Sequence, residues 1–172
     1  MILLLTGGSG CGKSTYAEKV IRATPHGKRV YIATMRVFDE ESVQRVRRHR
    51  AQRADMGFQT IECPKNLANV PVEPGSTALL EDLPNLLANE MFDGGDPNRV
   101  LPQLRRLCEA CDHLIIVTND VHSDGMRYEG LTLEYQRRLA EINRGAAALA
   151  DAVAEVVYSI PVYLKGEAPC GF

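Results

Sequence analysis

A glycine-rich segment near the beginning of the sequence has the residue types and the spacing of a phosphate-binding loop. Residues 7–14 fit the pattern G-x-x-x-x-G-K-[ST] and lie between an apolar segment and a helical one. In such loops the backbone N–H groups point at phosphate oxygens, while the lysine reaches the β/γ-phosphates and the following hydroxyl binds Mg²⁺. The pattern therefore predicts a nucleotide site in which Lys13 is catalytic and Ser14 binds the metal ion. The nucleotide contacts that we predict in the loop are Gly7, Gly8, Ser9, Gly10, Cys11, Gly12, Lys13 and Ser14.

Two acidic residues at the end of another apolar segment could supply the second oxygen ligand of Mg²⁺. Thr77-Ala-Leu-Leu is followed by Glu81 and Asp82, and an acid that closes a neighbouring buried strand commonly completes a Mg²⁺–nucleotide site. We predict Glu81 as the ligand and Asp82 as the second choice. The alternative is that both acids only cap the helix that begins near Leu83, because helix N-termini favour negative charge.

A basic segment contains a histidine that could act as a nucleophile. Residues 38–53 include five arginines around His49, and on a helix His49 and Arg53 would share a face. Neighbouring cations disfavour the protonated imidazole, which leaves a lone pair that can attack phosphorus and form a covalent phosphoramidate. The arginines themselves could bind phosphate oxygens. The alternative is a solvated Arg/Glu-rich helix in which the histidine is incidental.

The elements that must position these residues alternate between apolar strands and amphipathic helices. The predicted strands cover Ile2–Thr6, Arg29–Thr34, Phe58–Glu62, Thr77–Glu81, His113–Thr118, Glu155–Tyr158 and Val162–Leu164. The predicted helices cover Lys13–Arg22, Asp39–Gln52, Leu83–Met91, Arg99–Cys111 and Leu131–Ala150. This alternation predicts an α/β fold with a mostly parallel sheet flanked by helices, and the last two strands are expected to form an antiparallel C-terminal edge.

Ligands of such sheets bind at the carboxyl ends of the strands. The chemistry is therefore expected just after Leu5, Thr34, Leu80 and Thr118. Ala33 and Thr34, at the end of the second predicted strand, are also predicted nucleotide contacts. Thr118 and Asn119 could sense the γ-phosphate or the substrate, and the alternative for them is an Asx-type turn.

Length, composition and charge narrow the class of protein. A chain of 172 residues with 45% hydrophobic residues suits one globular domain, predicted to span residues 1–172. The net charge of -2 provides no global attraction for polyanions, so general nucleic-acid binding is not expected. No apolar run approaches the roughly 18 residues of a membrane helix, and the apolar N-terminus meets Gly7-Gly8 too soon for a signal peptide. We expect a cytoplasmic protein without a membrane span.

The motifs and their order along the chain resemble those of the bifunctional adenosylcobinamide kinase / adenosylcobinamide-phosphate guanylyltransferase family of cobalamin biosynthesis. The resemblance covers about residues 1–165 and is most specific around His49. The chain departs from the family pattern in several places between Asp120 and Arg144. The matching segments are Thr6-Gly-Gly, Tyr31-Ile-Ala-Thr34, Asp39-x-Glu41, Arg45-Val, His49, Arg53, Thr60-x-Glu62, Leu79-Leu-Glu81, Asn89, Val117-Thr-Asn119, Asn143 and Asp151-x-Val153.

This resemblance implies a P-loop NTPase of RecA-like fold, typically a homotrimer, with two activities. ATP or GTP would phosphorylate the aminopropanol hydroxyl of adenosylcobinamide, with Mg²⁺ as cofactor. GMP would then pass from GTP to adenosylcobinamide phosphate through a guanylylated histidine, giving adenosylcobinamide-GDP.

The resemblance also implies roles for individual residues. By position the guanylylated histidine would be His49, and Arg50 and Arg53 would bind the triphosphate. Glu62 is a candidate reader of guanine, because a carboxylate accepts from both N1–H and N2–H₂; the alternative is an ordinary acid at a strand end. Two other functions stay open: a P-loop kinase of another small alcohol in which His49 is structural, and a non-catalytic binding protein gated by GTP.

Overall fold

The computed structural model describes residues 1–24, 27–36, 40, 44, 51, 53–121 and 125–169. The strands in this part of the chain are β1 (Ile2–Thr6), β2 (Arg29–Ala33), β3 (Phe58–Glu62), β4 (Thr77–Glu81), β5 (His113–Val117), β6 (Ala152–Val157) and β7 (Ile160–Lys165). The longer helices are α1 (Lys13–Ala23), α2 (Leu83–Phe92), α3 (Val100–Ala110) and α4 (Gly130–Leu149). Short 3-10 helices cover Ala54–Met56, Leu67–Asn69 and Pro97–Arg99.

A seven-stranded sheet connects these strands in the order β3-β2-β4-β5-β1-β6-β7. All neighbouring strands from β3 to β6 are parallel, whereas β7 runs antiparallel to β6 after a turn at Tyr158 and Ser159. Both turn residues have positive φ, 50° and 66°, as a two-residue type I′ hairpin turn requires. The predicted mostly parallel sheet with an antiparallel C-terminal edge is confirmed.

β6 is an inner strand, although we expected both C-terminal strands to lie at the edge. It begins at Ala152, and Ala152 and Ala154 pair with Leu3 and Leu5 of β1. The alanine-rich end of α4 runs almost directly into this strand, and the alanines on either side of Val153 carry too weak a strand signal to mark where β6 begins. The expectation was therefore wrong for β6, and β7 alone forms that edge of the sheet.

Hydrophobic clusters cover both faces of the sheet, because side chains alternate along each strand. On one face Leu4, Ile32 and Leu80 pack with residues of α2, α3 and α4. On the other face Leu3 and Leu79 pack with residues of α1. This packing fixes α1 against the sheet, and the loop that precedes it therefore stays at the carboxyl end of β1.

The helices beside the strand ends begin at residues that suit a helix N-terminus. α1 follows Gly12, which has a φ of 100°, a conformation that glycine adopts without steric cost. α2 follows Asp82, whose side chain accepts a hydrogen bond from the Asn85 N–H, and Pro84 lies in its first turn. None of the helices within the described ranges is long and apolar enough to cross a membrane.

The predicted helix over residues 39–52 lies largely outside the described residues, and so do His49 and Arg50. The positions that are described in this stretch are helical and exposed: Glu40, Gln44 and Ala51. Arg53, which we expected on the same helix face as His49, lies in the turn that precedes the 3-10 helix Ala54–Met56.

Candidate active site

The carboxyl ends of the inner strands meet beside the glycine-rich loop. The Thr118 N–H donates to the Leu5 carbonyl oxygen at 2.9 Å, and the Thr34 N–H donates to the Glu81 carbonyl oxygen at 3.0 Å. These bonds continue the parallel pairing one residue past the strands. The positions after which we expected chemistry therefore lie together at the carboxyl ends of the strands.

The phosphate loop, residues 7–12, connects β1 to α1 in a conformation that depends on glycine. Gly7, Gly10 and Gly12 have positive φ angles of 139°, 71° and 100°. A β-carbon on Gly7 would also lie 2.5 Å from the carbonyl oxygen of Val156. The chain can thus turn tightly and present its backbone at the N-terminus of α1, which is the arrangement that binds phosphate.

Lys13 lies over this loop with its ammonium group almost buried. Nζ donates to the carbonyl oxygens of Gly7 at 2.8 Å and Gly8 at 2.6 Å, and the residue is only 7% exposed. Its third contact is Cys11 Sγ at 3.7 Å, which is a weaker acceptor than a phosphate oxygen. The loop therefore holds a positive charge where the phosphates of a nucleotide are expected.

Ser14 and Glu81 are in direct contact, although they are 67 residues apart in the sequence. The Ser14 hydroxyl donates to Glu81 Oε1, and the Tyr31 hydroxyl donates to Glu81 Oε2 at 3.0 Å. Burial, together with the charge of Glu81, raises the pKa of Tyr31, so the phenol stays protonated and continues to donate. A hydroxyl and a carboxylate are hard oxygen ligands of the kind that Mg²⁺ prefers, and the pair fits this ion.

Asp82, the second choice for the metal ligand, is engaged elsewhere. Its Oδ1 accepts hydrogen bonds from the Asn85 backbone N–H at 2.8 Å and from Asn85 Nδ2 at 2.9 Å. Burial raises the pKa of its carboxyl group. The capping role that we gave as the alternative for both acids thus describes Asp82, whereas Glu81 faces the phosphate loop.

Arg53 places a buried positive charge next to Glu81. Its guanidinium carbon lies 3.6 Å from the centroid of the Tyr31 ring, and Nη1 lies 3.5 Å from Glu81 Oε2 and 3.7 Å from Glu18 Oε1. Burial raises the pKa of Glu18. Together with Ser14, these four side chains form a charged cluster on one side of the loop, which we call the acidic flank.

The threonines at the strand ends use their hydroxyl groups inside the protein. Thr34 Oγ1 donates to the Asp82 carbonyl oxygen at 2.8 Å and accepts from the Asp82 N–H at 2.6 Å. Thr118 Oγ1 donates to Asn143 Oδ1 at 2.7 Å, and Asn143 Nδ2 donates to the Asn119 carbonyl oxygen at 3.5 Å. Both hydroxyls tie neighbouring segments to the sheet edge, and their predicted contacts with nucleotide or substrate stay predictions.

Glu62 and Ala33 lie in a row with Glu81 across three neighbouring strands. Ala33 of β2 pairs with Glu62 of β3 on one side and with Glu81 of β4 on the other. With a strand spacing of about 4.8 Å, Glu62 lies roughly 10 Å from Glu81 across the sheet. Glu62 is exposed, so its side chain lies at the protein surface, at the same carboxyl end of the sheet as the acidic flank.

The sequence matches a known enzyme family over almost its whole length. The family model described as "Cobinamide kinase / cobinamide phosphate guanyltransferase" matches residues 3–164. The chain belongs to this family. Membership confirms the resemblance that the motifs indicated, and it identifies an enzyme family of cobalamin biosynthesis.

Two curated relatives of this cobinamide kinase / guanyltransferase member come from Escherichia coli (strain K12) and Salmonella typhimurium (strain LT2). Both are named "Bifunctional adenosylcobalamin biosynthesis protein CobU". Each is 29% identical to the chain over 184 aligned residues, which cover 96% of this chain and 100% of the relative. The prediction of an enzyme of the kinase and nucleotidyltransferase class agrees with these names and is confirmed.

Among solved structures, an ATPase domain is similar to the chain with a TM-score of 0.44 and 10% sequence identity. The match covers 90% of this chain and 68% of that chain. The strand order and the parallel pairing described above support the P-loop α/β fold of the family member. The likeness to the ATPase domain is too distant to add to this support.

Sequence reasoning predicted Ser14 and Arg53 but missed two other side chains near Glu81 in this family member, Glu18 and Tyr31. Glu18 follows Ser14 by four residues, which places both on the same face of α1. Tyr31 pairs with Leu79 in the β2–β4 register, so its side chain is the diagonal neighbour of Glu81 on the same face of the sheet. These spacings are visible in the sequence, but they acquire meaning only once the order and register of the strands are known.

Proposed function

We propose that this chain is a Mg²⁺-dependent transferase with two activities: phosphorylation of adenosylcobinamide by ATP or GTP, and transfer of GMP from GTP to adenosylcobinamide phosphate. The observation that carries the proposal is the contact between Ser14 and Glu81 beside the buried ammonium group of Lys13. Two oxygen ligands and a cation at a helix N-terminus are the set that phosphoryl transfer requires. Family membership and the names of the relatives support the corrinoid substrate.

In the kinase step, the phosphate loop and Lys13 bind the β- and γ-phosphates, and Ser14 and Glu81 would hold Mg²⁺. When bound there, Mg²⁺ supplies charge neutralisation for the phosphate oxygens. Tyr31 orients Glu81 by donating to the carboxylate oxygen that Ser14 does not contact. The substrate hydroxyl oxygen forms a bond to the γ-phosphorus while the bond from that phosphorus to the β–γ bridging oxygen breaks. The nucleoside diphosphate leaves, and the hydroxyl proton passes to solvent.

In the transferase step, His49 carries the GMP group. An imidazole nitrogen attacks the α-phosphorus of GTP, a P–N bond forms and pyrophosphate leaves. A phosphate oxygen of adenosylcobinamide phosphate then attacks the same phosphorus, which breaks the P–N bond, forms adenosylcobinamide-GDP and restores the histidine. Arg50 and Arg53 bind the triphosphate in this proposal, and Glu62 reads the guanine.

The position of Arg53 supports the role of His49. Arg53 follows His49 by four residues, and its Nη1 lies 3.5 Å from Glu81 Oε2. Arg53, the last arginine of the basic segment, therefore lies beside the proposed metal ligand.

The resemblance to the family also supports a homotrimer. We include in the proposal the single domain over residues 1–172 and the cytoplasmic location that the sequence analysis predicts. Analytical ultracentrifugation of the full chain tests the assembly. A species of three times the 19.0 kDa chain mass is expected, and a monomer at every concentration contradicts the trimer.

The experiment for the transferase step uses GTP labelled at the α-phosphate. The protein is incubated with this GTP and Mg²⁺, denatured and separated from free nucleotide. An acid-labile covalent label is expected, and His49→Ala should reduce it to background because the attacking nitrogen is gone. The matched control is His113→Ala, which removes the histidine at the start of β5 and should leave the label in place.

The same preparation separates the rival functions. Transfer of label from γ-labelled nucleotide to adenosylcobinamide is expected alongside the protein adduct. A labelled small product without any protein adduct would indicate a kinase without transferase activity. Nucleotide binding without turnover of adenosylcobinamide or its phosphate would indicate a non-catalytic binding protein. An adduct that persists in His49→Ala would place the covalent group on another residue.

A further inference from the structure

A cavity lies on the opposite side of the phosphate loop from Glu81, between α1 and β7. It has a volume of about 410 Å³, which is within the range of small-ligand sites, and its walls are mainly apolar. The lining residues that matter here are Gly12, Thr15, Tyr16, Lys19, Pro161 and Tyr163.

Two tyrosines join the walls of this cavity. The hydroxyl oxygens of Tyr16 on α1 and Tyr163 on β7 lie 2.7 Å apart and share a hydrogen bond. Tyr16 is 6% exposed and belongs to the hydrophobic cluster under α1, and Tyr163 packs against that cluster. The cavity therefore has a fixed aromatic wall in the structure.

The turn between β6 and β7 fixes the cavity relative to the phosphate loop. The Ser159 N–H donates to the Cys11 carbonyl oxygen at 2.8 Å. Any side chain at Gly12 would collide with Ser159, so the turn is packed directly against the loop. The walls contributed by β7 and by the start of α1 are therefore held next to each other by the packing of this turn against the loop.

The acidic flank sets the direction in which a nucleotide must lie across the loop. The lysine and the metal ligands of such a loop mark the β/γ-phosphate end, and the backbone N–H groups hold the α/β-phosphates. Ser14 contacts Glu81 on the β4 side, so we expect the nucleoside to leave the loop away from β4, towards β6 and β7. Thr15, in the first turn of α1, lies on that path and lines the cavity.

We propose that this cavity binds the base and ribose of the nucleotide whose phosphates lie in the loop, with the base against Pro161 and Tyr163. The proposal rests on the nucleotide-binding role proposed for the loop. An aromatic and apolar pocket with few polar groups fits a heteroaromatic base. The nucleotide bound in this way would be the phosphate donor of the kinase step.

This nucleoside site is different from the one that Glu62 would serve. β3, which ends in Glu62, and β7, which carries Tyr163, are the two edges of the sheet, six strand spacings apart. At about 4.8 Å per spacing the edges are separated by roughly 29 Å, which is more than one nucleoside spans. The proposal therefore gives the chain two nucleoside positions, one for each reaction.

Isothermal titration compares the binding of Mg²⁺-ATP and Mg²⁺-GTP with the binding of Mg²⁺-tripolyphosphate, which has no nucleoside. In Tyr163→Ala we expect the Kd of the nucleotide to rise about tenfold or more, as loss of an aromatic contact with a base does. The Kd of tripolyphosphate should change less than twofold, which also shows that the loop is folded. Tyr163→Phe, which keeps the ring, should stay close to wild type for both ligands.

The matched control is Tyr158→Ala. Tyr158 is 90% exposed and lines a different groove, together with Gly8 and Cys11 at the tip of the loop. Its removal should leave the affinity for nucleotide unchanged. If Tyr158→Ala weakens nucleotide binding while Tyr163→Ala does not, the nucleoside lies in the groove at the tip and the proposal is wrong.

Lys13→Ala separates this proposal from the proposed function of the loop. If Lys13→Ala binds neither nucleotide nor tripolyphosphate while Tyr163→Ala binds nucleotide with wild-type affinity, only the proposal of the nucleoside site is overturned. If Lys13→Ala binds both ligands normally, the loop is not the phosphate site and the proposed function itself fails.

Discussion

The two sides of the phosphate loop are built on different chemistry. On the β4 side, the acidic flank surrounds Glu81 with a hydroxyl, a phenol, a guanidinium and a second carboxylate. On the β7 side, the walls of the nucleoside cavity are aromatic and apolar, and the hydroxyls of Tyr16 and Tyr163 bond to each other. Several charged side chains meet on the side where phosphate groups are expected to change partners, and a mainly apolar surface, with Lys19 in its wall, lies where an uncharged base is expected.

The two sides also differ in how completely their polar atoms are bonded. In the part of the chain that the structure describes, Arg53 Nη1 and Glu18 Oε1 are buried without a hydrogen-bond partner. Both atoms instead take part in ion pairs, because Arg53 Nη1 lies 3.7 Å from Glu18 Oε1 and 3.5 Å from Glu81 Oε2. The Tyr16 and Tyr163 hydroxyls satisfy one another. The comparison contrasts a hydroxyl pair that is hydrogen-bonded with buried charges that are held by ion pairing.

Among the substitutions that test this difference between the two sides, Glu81→Gln is expected to have the largest effect on activity. Loss of the carboxylate removes the proposed metal ligand while the amide keeps the size of the side chain, so kcat should fall by about 10²-fold or more. Steady-state kinetics at increasing Mg²⁺ concentration measure this effect. Nucleotide affinity without Mg²⁺ should change little, because the nucleoside is bound on the other side of the loop.

Asp82→Asn is the matched control for Glu81→Gln. Asp82 is the adjacent acid, but it caps α2 through Asn85, and an amide oxygen can accept the same bonds. The Mg²⁺ dependence of this variant should match wild type. A loss of Mg²⁺ dependence in Asp82→Asn together with normal behaviour of Glu81→Gln would show that the metal ligand has been assigned to the wrong acid.

A smaller effect is expected from Tyr31→Phe, which removes the donor to Glu81 Oε2. Groups that orient a metal ligand change metal affinity or activity by about tenfold or more when they are removed, so the Mg²⁺ concentration for half-maximal activity should rise about tenfold. Nucleotide KM at saturating Mg²⁺ should stay near wild type.

The control for Tyr31→Phe is Tyr135→Phe, which removes a hydroxyl that donates to the Pro84 carbonyl oxygen at 3.2 Å. Its Mg²⁺ requirement should not change. Equal shifts in the two variants would indicate a general loss of structure rather than the loss of a contact with Glu81.

The smallest effect concerns Asp82, next to Glu81, and the way in which the free energy of unfolding depends on pH. Burial raises the pKa of Asp82 above its ordinary value of 3.8 in the folded state, so the folded protein binds this proton more tightly than the unfolded chain does. Its contribution to the free energy of unfolding is complete below pH 3.8 and is lost as the pH rises through the folded pKa. Asp82→Asn should therefore gain stability relative to wild type as the pH rises from about 4 to 7.5 in urea unfolding.

Asp55→Asn provides a comparison of opposite sign. The hydrogen bonds from Arg22, at 2.9 and 3.0 Å, lower the pKa of Asp55. This carboxylate therefore contributes stability above its unfolded pKa and loses it as the pH falls through the folded one. Asp55→Asn should lose stability relative to wild type as the pH rises. Parallel pH profiles for the two variants would contradict the assignment of burial as the cause at Asp82.

The sequence was sufficient for the features whose signals are local. The bounds of β1, β3 and β4 are as expected, because each is a short apolar or alternating run that ends at a polar residue or a turn. The phosphate loop is equally local, since its glycines, Lys13 and Ser14 are contiguous and lie where a strand meets a helix. Family membership followed from the order of such motifs along the chain.

The contacts around Glu81 could not be obtained in this way. Tyr31 and Glu81 are 50 residues apart, and they meet only because β2 and β4 are adjacent in one particular register. The fit of the β6–β7 turn against Gly12 depends in the same way on β6 lying beside β1, which the alanine-rich sequence around Ala152 conceals. Strand order and register arise from the packing of the whole sheet, which no single segment encodes.

A structure of the protein with Mn²⁺ and a non-hydrolysable nucleotide tests the central claim most directly, because the anomalous signal of Mn²⁺ locates the metal independently of the nucleotide. The account predicts Mn²⁺ bound between the Ser14 hydroxyl and the Glu81 carboxylate, with the terminal phosphate towards β4 and the base beside Tyr163. A metal peak away from Glu81, or a base on the β4 side of the loop, would contradict it.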